Sequence, residues 1–330
     1  MKDSILYALR IAARRNREMG RKANERVIGD KADVVTKGDM EIGDAITSII
    51  LGTQERTIVE SEEHGKQGNL SKDESERYYV AIDDIDGTNN LRVGNNLLPY
   101  CSMIVVFDGS KKVNGGYKYS DYSHAACIDY VSGRIFYTEN GLGKVEVYNL
   151  DGEKISDSTQ NVQNNENLAL TLSTDIVSTQ RGGSVGYAKN GDSDAAVIFP
   201  DELSLVYKNF ALVDSACSVY EYAMVGMGIR NGYVSSGKKE HELPLLYAFS
   251  RETGLDVVDF DGLSYGEKIY DFNGKNAEVV AGNEEVRKTV LNYIKKQRWV
   301  NKELEEVYKT WGQKQAEEKK KDDGDEYPNV

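Results

Sequence analysis

The sequence predicts an α+β amino-terminal half, with antiparallel sheet beside two helices, followed by a second half of α/β texture. Three observations predict it. Two amphipathic helix patterns lie before residue 55, short β-prone runs punctuated by Gly, Asn and Asp follow to about residue 150, and from about residue 165 strand-like and helix-like segments alternate. A chain of 330 residues that is 39% hydrophobic can bury one large core or two medium ones, and its composition suggests neither a fibre nor general disorder.

In chain order, Ile5, Leu6, Leu9, Ile11 and Ala12 place an apolar stripe on a first helix, and Ile42, Ala45, Ile46, Ile49 and Ile50 do the same within "DMEIGDAITSIIL", where Asp39 is placed to cap the helix start. Tyr78 to Ile82 read as a buried strand, and the runs "CSMIVVFDG", "AACIDYVSG", "GRIFYTENG" and "KVEVYNLDG" as further strands. Beyond residue 165, "LALTLST", "DAAVIF" and "NGYVSSG" read as strands and "SACSVYEYAMVGMG" as a helix. "ELPLLYAFSRETG" reads as another helix, with Pro244 in its first turn and Gly254 past its end. A strand "NAEVVAGN" and a helix from Asn283 close the pattern, and "KQAEEKKKDDGDEYPNV" reads as a solvated tail. The expected organisation is an α+β part over 1–160, an α/β part over 161–295 and a charged extension over 296–330; no internal repeat is present.

A formal charge of −13 opposes broad binding to nucleic acid or anionic membrane, which needs a basic face. Cys101, Cys127 and Cys217 are odd in number and show no CxxC pairing, so neither a disulfide framework nor a zinc site is indicated, and a reducing cytoplasm is expected. Arg10, Arg14 and Arg15 interrupt the apolar positions of the amino terminus, the pattern of an amphipathic helix rather than a signal peptide, and no apolar run is long enough to span a membrane.

The informative stretch is "YYVAIDDIDGTNN". Asp83, Asp84 and Asp86 lie within four residues, and crowded carboxylates repel unless a proton or a cation sits between them. A plain Asp-rich turn with Gly87 supplying an unusual backbone angle is the ordinary alternative. A calcium loop fails on spacing, because placing Gly87 at the loop glycine puts Ile82 where the first acid must be.

"DDIDGTNN" resembles the D-P-[IL]-D-G-T-x-N signature of the inositol monophosphatase superfamily, lithium-sensitive Mg²⁺-dependent phosphatases that include fructose-1,6-bisphosphatases and bisphosphate nucleotidases. "DVVTKGDMEIGDAI" and "IVESEEHG" resemble two upstream motifs of that superfamily in the right order, and "HELPLLYAFSRETGL" resembles a fourth, with Glu242 at an Asp position and Glu252 and Gly254 at the distal end. The resemblance covers roughly residues 1–290 and implies a layered αβαβα sandwich, a homodimer and a small phosphorylated metabolite as substrate. It implies two or three Mg²⁺ ions held by Glu62 (Glu60 if the turn is offset), Asp83, the Ile85 carbonyl, Asp86 and Glu242, with Asp83 bridging. Asp39 and Thr88, assisted by Glu62, would activate the attacking water, and Gly87 and Thr88 amides would receive the phosphate. Substrate-pocket positions fall at Ser215, Ala216 and Ser235.

Beyond Glu242, the sequence departs from the family pattern at Asp84 and in "VDSACS". Asp84 replaces a Pro and adds charge beside the expected metals, and "VDSACS" replaces a family G-[ST]-A-A. Asp84-Ile85-Asp86-Gly87-Thr88 also resembles the D-x-D-G-T of haloacid dehalogenase-like phosphatases, with Asp84 as a covalent nucleophile and a loose echo of an acidic loop at Asp192 and Asp194. A homologue that binds metal or phosphometabolite as a regulatory subunit is the non-enzyme alternative. His64, His124 and His241 show no partner pattern and read as surface residues.

Overall fold

The computed structural model describes residues 1–29, 34–93, 97–160, 169–172, 211–213, 215, 217–274, 277–292 and 294–295. Helices α1 (Lys2–Met19) and α2 (Lys37–Thr53) form where the apolar stripes predict them; the buried positions are Ile5, Ala8, Leu9, Ala12 and Ala13 on α1 and Ile42, Ile46 and Ile50 on α2. The cap of α2 is Thr36 rather than Asp39. Asp39 is its third-position partner in a capping box, its carboxylate accepting the Thr36 N–H at 2.7 Å. Thr36 follows a two-stranded ribbon of β1 (Arg26–Gly29) and β2 (Val34–Thr36).

The main sheet has eight strands, in the order β11 (Lys154–Asp157), β10 (Glu146–Tyr148), β9 (Arg134–Glu139), β8 (Tyr122–Asp129), β6 (Cys101–Asp108), β5 (Tyr78–Asp86), β3 (Thr57–Ser61) and β4 (Gly65–Gly68). All neighbours are antiparallel except β3 and β5. Strand β5 runs through the acids to Asp86 instead of stopping at Ile82. A short ribbon pairs β7 (Tyr117–Lys118) with β16 (Ile269–Tyr270).

Successive side chains on β5 and β6 point to opposite faces, and both faces are covered, so these strands read as continuous apolar runs. Val80, Ile82, Ile104 and Val106 meet α1 and α2 on one side. Tyr79, Ala81, Met103, Val105 and Phe107 face α4 (Ser218–Gly226) and α5 (Leu243–Glu252) on the other, through Val219, Tyr222, Leu246 and Phe249. The far side of α4 and α5 packs on Tyr233, Val279 and Ala281 of a second sheet.

That second sheet is ordered β13 (Ala211–Val213), β12 (Ala169–Leu172), β14 (Gly232–Lys238), β17 (Ala277–Gly282) and β15 (Asp256–Val258). It is mixed: β12 runs parallel to both its neighbours, whereas β17 is antiparallel to β14 and β15. Its outer face, Val234, Val258 and Val280, is closed by Val286 and Val290 of helical residues 284–292. The layers are therefore helix, sheet, helix, sheet, helix, the αβαβα sandwich the sequence resemblance implies. The strand expected at "DAAVIF" lies outside the described residues. No helix among the described residues is long and apolar enough to cross a membrane.

Two buried carboxylates tie edges of this frame. Glu252, at the end of α5, accepts from Tyr122 Oη at 2.5 Å, Gly141 N at 2.9 Å and Gly143 N at 2.6 Å. Glu252→Ala leaves three donors without their partner and is expected to cost about 3 kcal/mol in denaturant unfolding. Glu146 accepts from Lys2 at 2.9 Å, Lys154 at 3.0 Å and Tyr148 Oη at 2.5 Å. Burial works against its charge; Tyr148, Lys2 and Lys154 outweigh burial and lower its pKa from the ordinary 4.5 to about 2. A carboxylate depressed on folding stabilises above its unfolded pKa, and that stability is lost as pH falls from about 4.5 towards 2. Glu146→Gln is expected to lose on the order of 2 kcal/mol at pH 7, after screening, and to flatten the acid limb of the stability profile in that window.

Candidate functional site

The site begins with a change of geometry in β5. Asp83 pairs with Met103 and Asp86 with Cys101, and a bulge between them displaces the register. Gly87 then turns the chain at φ +83°, where a Cβ would lie 3.2 Å from both Cys217 Cβ and the Pro99 carbonyl. Thr88 opens the short helix α3 (Thr88–Val93).

Alternation separates the neighbouring acids. Asp84 does not stand beside Asp83 but on the other face of the strand, where its Oδ2 accepts Ser61 Oγ at 2.6 Å and Glu63 N at 3.0 Å. It holds the "ESEE" turn and so places Glu62. Burial raises Asp84 to about 6 against the pull of Ser61, Glu63 and His64. A carboxylate bonded in this way inside the fold is not presented as a nucleophile. Glu60, the alternative register, accepts Tyr79 Oη at 2.8 Å instead and takes no part in the acid cluster.

Glu242 arrives from the other half of the chain, at the end of the 3₁₀ turn Glu240–Glu242 that leads into α5. One carboxylate oxygen each from Asp83, Asp86 and Glu242 lie within 4.8 Å of one another, so the extra methylene of Glu242 still delivers its carboxylate to the cluster. Asp86 Oδ2 also accepts Val219 N at 2.6 Å in the first turn of α4, and Glu242 Oε2 accepts Tyr222 Oη at 3.4 Å.

A second group of the same compactness joins Glu62, Asp83 and His241. Asp83 belongs to both groups. His241 is no surface residue: it is 3% exposed, its Nε2 lies 3.4 Å from Glu62 Oε2 and 3.5 Å from Asp83 Oδ2, and its ring stacks on Phe272. His64 and His124 are half-buried, against Met40 O and Tyr137 Oη respectively. Lys239 ion-pairs with the other oxygen of Glu62. Neither Lys239 nor His241 carries a sequence signal towards Glu62; only the turn before α5 brings them there.

The electrostatics follow from burial and crowding. Burial, with the charges of Glu62 and Asp86, pushes Asp83 well above the usual carboxylate range. Burial opposes charge on both His241 and Glu62, but each outweighs it for the other: Asp83 and Glu62 raise the imidazole to about 11, and His241 with Lys239 lower Glu62 to about 2. Asp83 Oδ1 is buried without a hydrogen-bond partner. Buried carboxylate oxygens left unpaired in a crowd of acids are the donor set that a hard divalent cation satisfies, so the residues fit one.

On the neighbouring side, Asp39 divides its carboxylate between two tasks. Oδ2 serves the capping box, accepting Thr36 Oγ1 at 2.6 Å, while Oδ1 lies 3.1 Å from Thr88 Oγ1. Burial raises the Asp39 pKa against these hydrogen bonds. Gly38 permits the approach of α2, since a Cβ there would meet Ile85 and Leu91 side chains at 3.1 Å. Thr88 Oγ1 is also 3.0 Å from the Ile85 carbonyl, and one hydroxyl proton serves only one of the two acceptors at a time. Ser215 is half-buried, its carbonyl accepting Asn90 Nδ2 at 2.8 Å. Ser235 is fully buried in β14 opposite Val279. Ala216 lies outside the described residues, as do Asp192 and Asp194. Of the nearby basic residues, Lys37 pairs with Glu25 and Arg92 is exposed beside Asn89.

Fold and site together define a layered αβαβα protein with a buried acidic cradle between its two halves. That architecture is the inositol monophosphatase fold. The extragenic suppressor protein SuhB of Bartonella henselae aligns over 89% of this chain and 98% of its own at 15% identity, with a TM-score of 0.62. The Thermotoga maritima IMPase covers 90% and 97% at 16% identity and a TM-score of 0.60. The MJ0109 gene product, named as an inositol monophosphatase–fructose 1,6-bisphosphatase, covers 88% and 97% at 17% identity and a TM-score of 0.59. No protein-family model and no curated protein sequence matches the chain.

Proposed function

We propose that this protein is a Mg²⁺-dependent phosphomonoesterase that hydrolyses a small sugar or polyol phosphate, of the inositol monophosphate or fructose 1,6-bisphosphate kind. The observation that carries the reading is the convergence of Glu62, Asp83, Asp86 and Glu242 from three separate stretches of chain, with Asp83 common to both groups. The fold shared with the MJ0109 gene product supports the substrate class. Glu62, Asp83, the Ile85 carbonyl, Asp86 and Glu242 would hold the ions, which when bound supply Lewis-acid charge to the transferring phosphate and its leaving oxygen.

The protein's own groups then do the proton work. Thr88 Oγ1 takes a proton from the attacking water as it passes its own to Asp39 Oδ1, 3.1 Å away. Burial equips Asp39 for this by raising its proton affinity, and the capping box keeps its orientation. The backbone N–H groups of Gly87 and Thr88, at the start of α3, receive phosphate oxygens.

The test is phosphate release from a panel of inositol, sugar and nucleotide phosphates, with Mg²⁺ and with EDTA. Release from a sugar or polyol ester that EDTA abolishes and Mg²⁺ restores is the expected result. Release that survives EDTA, or none from any ester under any divalent ion, defeats the proposal.

A further inference from the structure

The residue that the acidic motifs leave unexplained is His241. Its imidazole is carried into the cradle by the same turn that delivers Glu242, and its Nε2 is buried, makes no hydrogen bond, and faces Glu62 Oε2 at 3.4 Å and Asp83 Oδ2 at 3.5 Å. These separations are long for a charge-assisted N–H···O bond, which settles near about 2.7–2.9 Å. They suit two ligands of one ion: donors about 2.1 Å from a common centre lie roughly 3.0 Å apart in octahedral and roughly 3.4 Å apart in tetrahedral coordination. The ring is held for that purpose by stacking on Phe272 at 5.4 Å between centroids. Lys239 takes Glu62 Oε1 and leaves Oε2 turned towards His241.

We propose that His241 gives up its Nε2 proton to solvent as the ion binds and becomes a nitrogen ligand to the ion held by Glu62 and Asp83, so that this position favours a first-row transition metal ion over Mg²⁺. The proposal rests on the metal-dependent reading above and refines it. An all-oxygen set suits Mg²⁺; one imidazole among the donors raises affinity most for Fe²⁺ and Zn²⁺ and least, among these transition ions, for Mn²⁺. The position next to Asp86 and Glu242 keeps its oxygen donors and its suitability for Mg²⁺.

Mn²⁺ alone is the probe, added to the full chain and followed by electron paramagnetic resonance. Pulsed spectra of bound Mn²⁺ are expected to show a directly coordinated ¹⁴N that changes to ¹⁵N when the protein is labelled with ¹⁵N-histidine. His64→Gln and His124→Gln keep the coupling. His241→Gln loses it and weakens the tighter Mn²⁺ site by at least about 10- to 100-fold, the range already seen for outer-shell partners of a metal, with a smaller loss for Mg²⁺ measured by competition. The wild-type spectrum decides the matter even if the variant does not fold. Saturable Mn²⁺ binding without nitrogen coupling overturns the His241 assignment and leaves the metal-dependent reading standing; absence of saturable Mn²⁺ binding overturns both.

Discussion

Replacing Asp83 by Asn is expected to lower metal-dependent phosphate release by at least about 100-fold, whereas Asp84→Asn keeps activity within about tenfold of wild type. The larger figure exceeds the 10- to 100-fold typical of groups that only orient metal ligands, because Asp83 is the carboxylate shared by both donor groups. Asn at 84 still offers one oxygen to Ser61 Oγ and Glu63 N, the two contacts through which Asp84 sets the Glu62 turn. The pair of variants also separates stability from chemistry. Asp83→Asn relieves the repulsion from Glu62 and Asp86 but also removes an anion facing His241, so its fold without divalent ions is expected to change little in stability. What it loses is the rise in melting temperature that a bound ion gives, worth about 2.7 kcal/mol at a hundredfold excess over Kd. An inactive Asp84→Asn beside an active Asp83→Asn reverses the assignment and makes Asp84 the nucleophile.

Gly43→Ala is expected to destabilise the protein by about 2–3 kcal/mol, although Gly to Ala within a helix ordinarily stabilises by up to about 1 kcal/mol. The sign changes because a Cβ at this position of α2 would lie 2.2 Å from Asp84 Oδ1, 2.6 Å from its Cγ and 2.7 Å from His64 Cδ2. Asp84 has little room to yield, since its other oxygen is fixed by Ser61 and Glu63. Any yielding displaces the turn carrying Glu62, so Mn²⁺ affinity is expected to fall with stability. Denaturant unfolding and a Mn²⁺ titration read the two losses, and a double-mutant cycle with Asp84→Ala isolates their cause: truncating Asp84 should cost less in the Gly43→Ala background than alone. Additive effects would mean that the contact does not limit α2.

What was legible in the sequence was local. Asp83, Asp86 and Thr88 belong to one short motif, and the stripes of α1 and α2 follow from residue spacing alone. Glu62 and Glu242 were reachable only by likeness to motifs elsewhere in the chain. The facing of Asp84 was in principle readable, because the two-residue period of an extended β5 sends neighbours to opposite faces; ending the strand at Ile82 concealed it. Asp39 reads as a cap from its position and as a catalytic group from the resemblance; in the structure Oδ2 accepts the Thr36 N–H and Oδ1 lies 3.1 Å from Thr88 Oγ1. Lys239 and His241 gave no warning. Their partner Glu62 is far away in sequence, 177 residues in the case of Lys239, and only the packing of α4 and α5 onto the main sheet brings that turn to the acids.

The most direct test of the cradle is anomalous diffraction from crystals soaked in Mn²⁺. Two peaks are predicted on either side of the Asp83 carboxylate, one shared with Glu62 and the other with Asp86 and Glu242. Full soaking that leaves no peak within coordination distance of Asp83 would contradict the account at its centre.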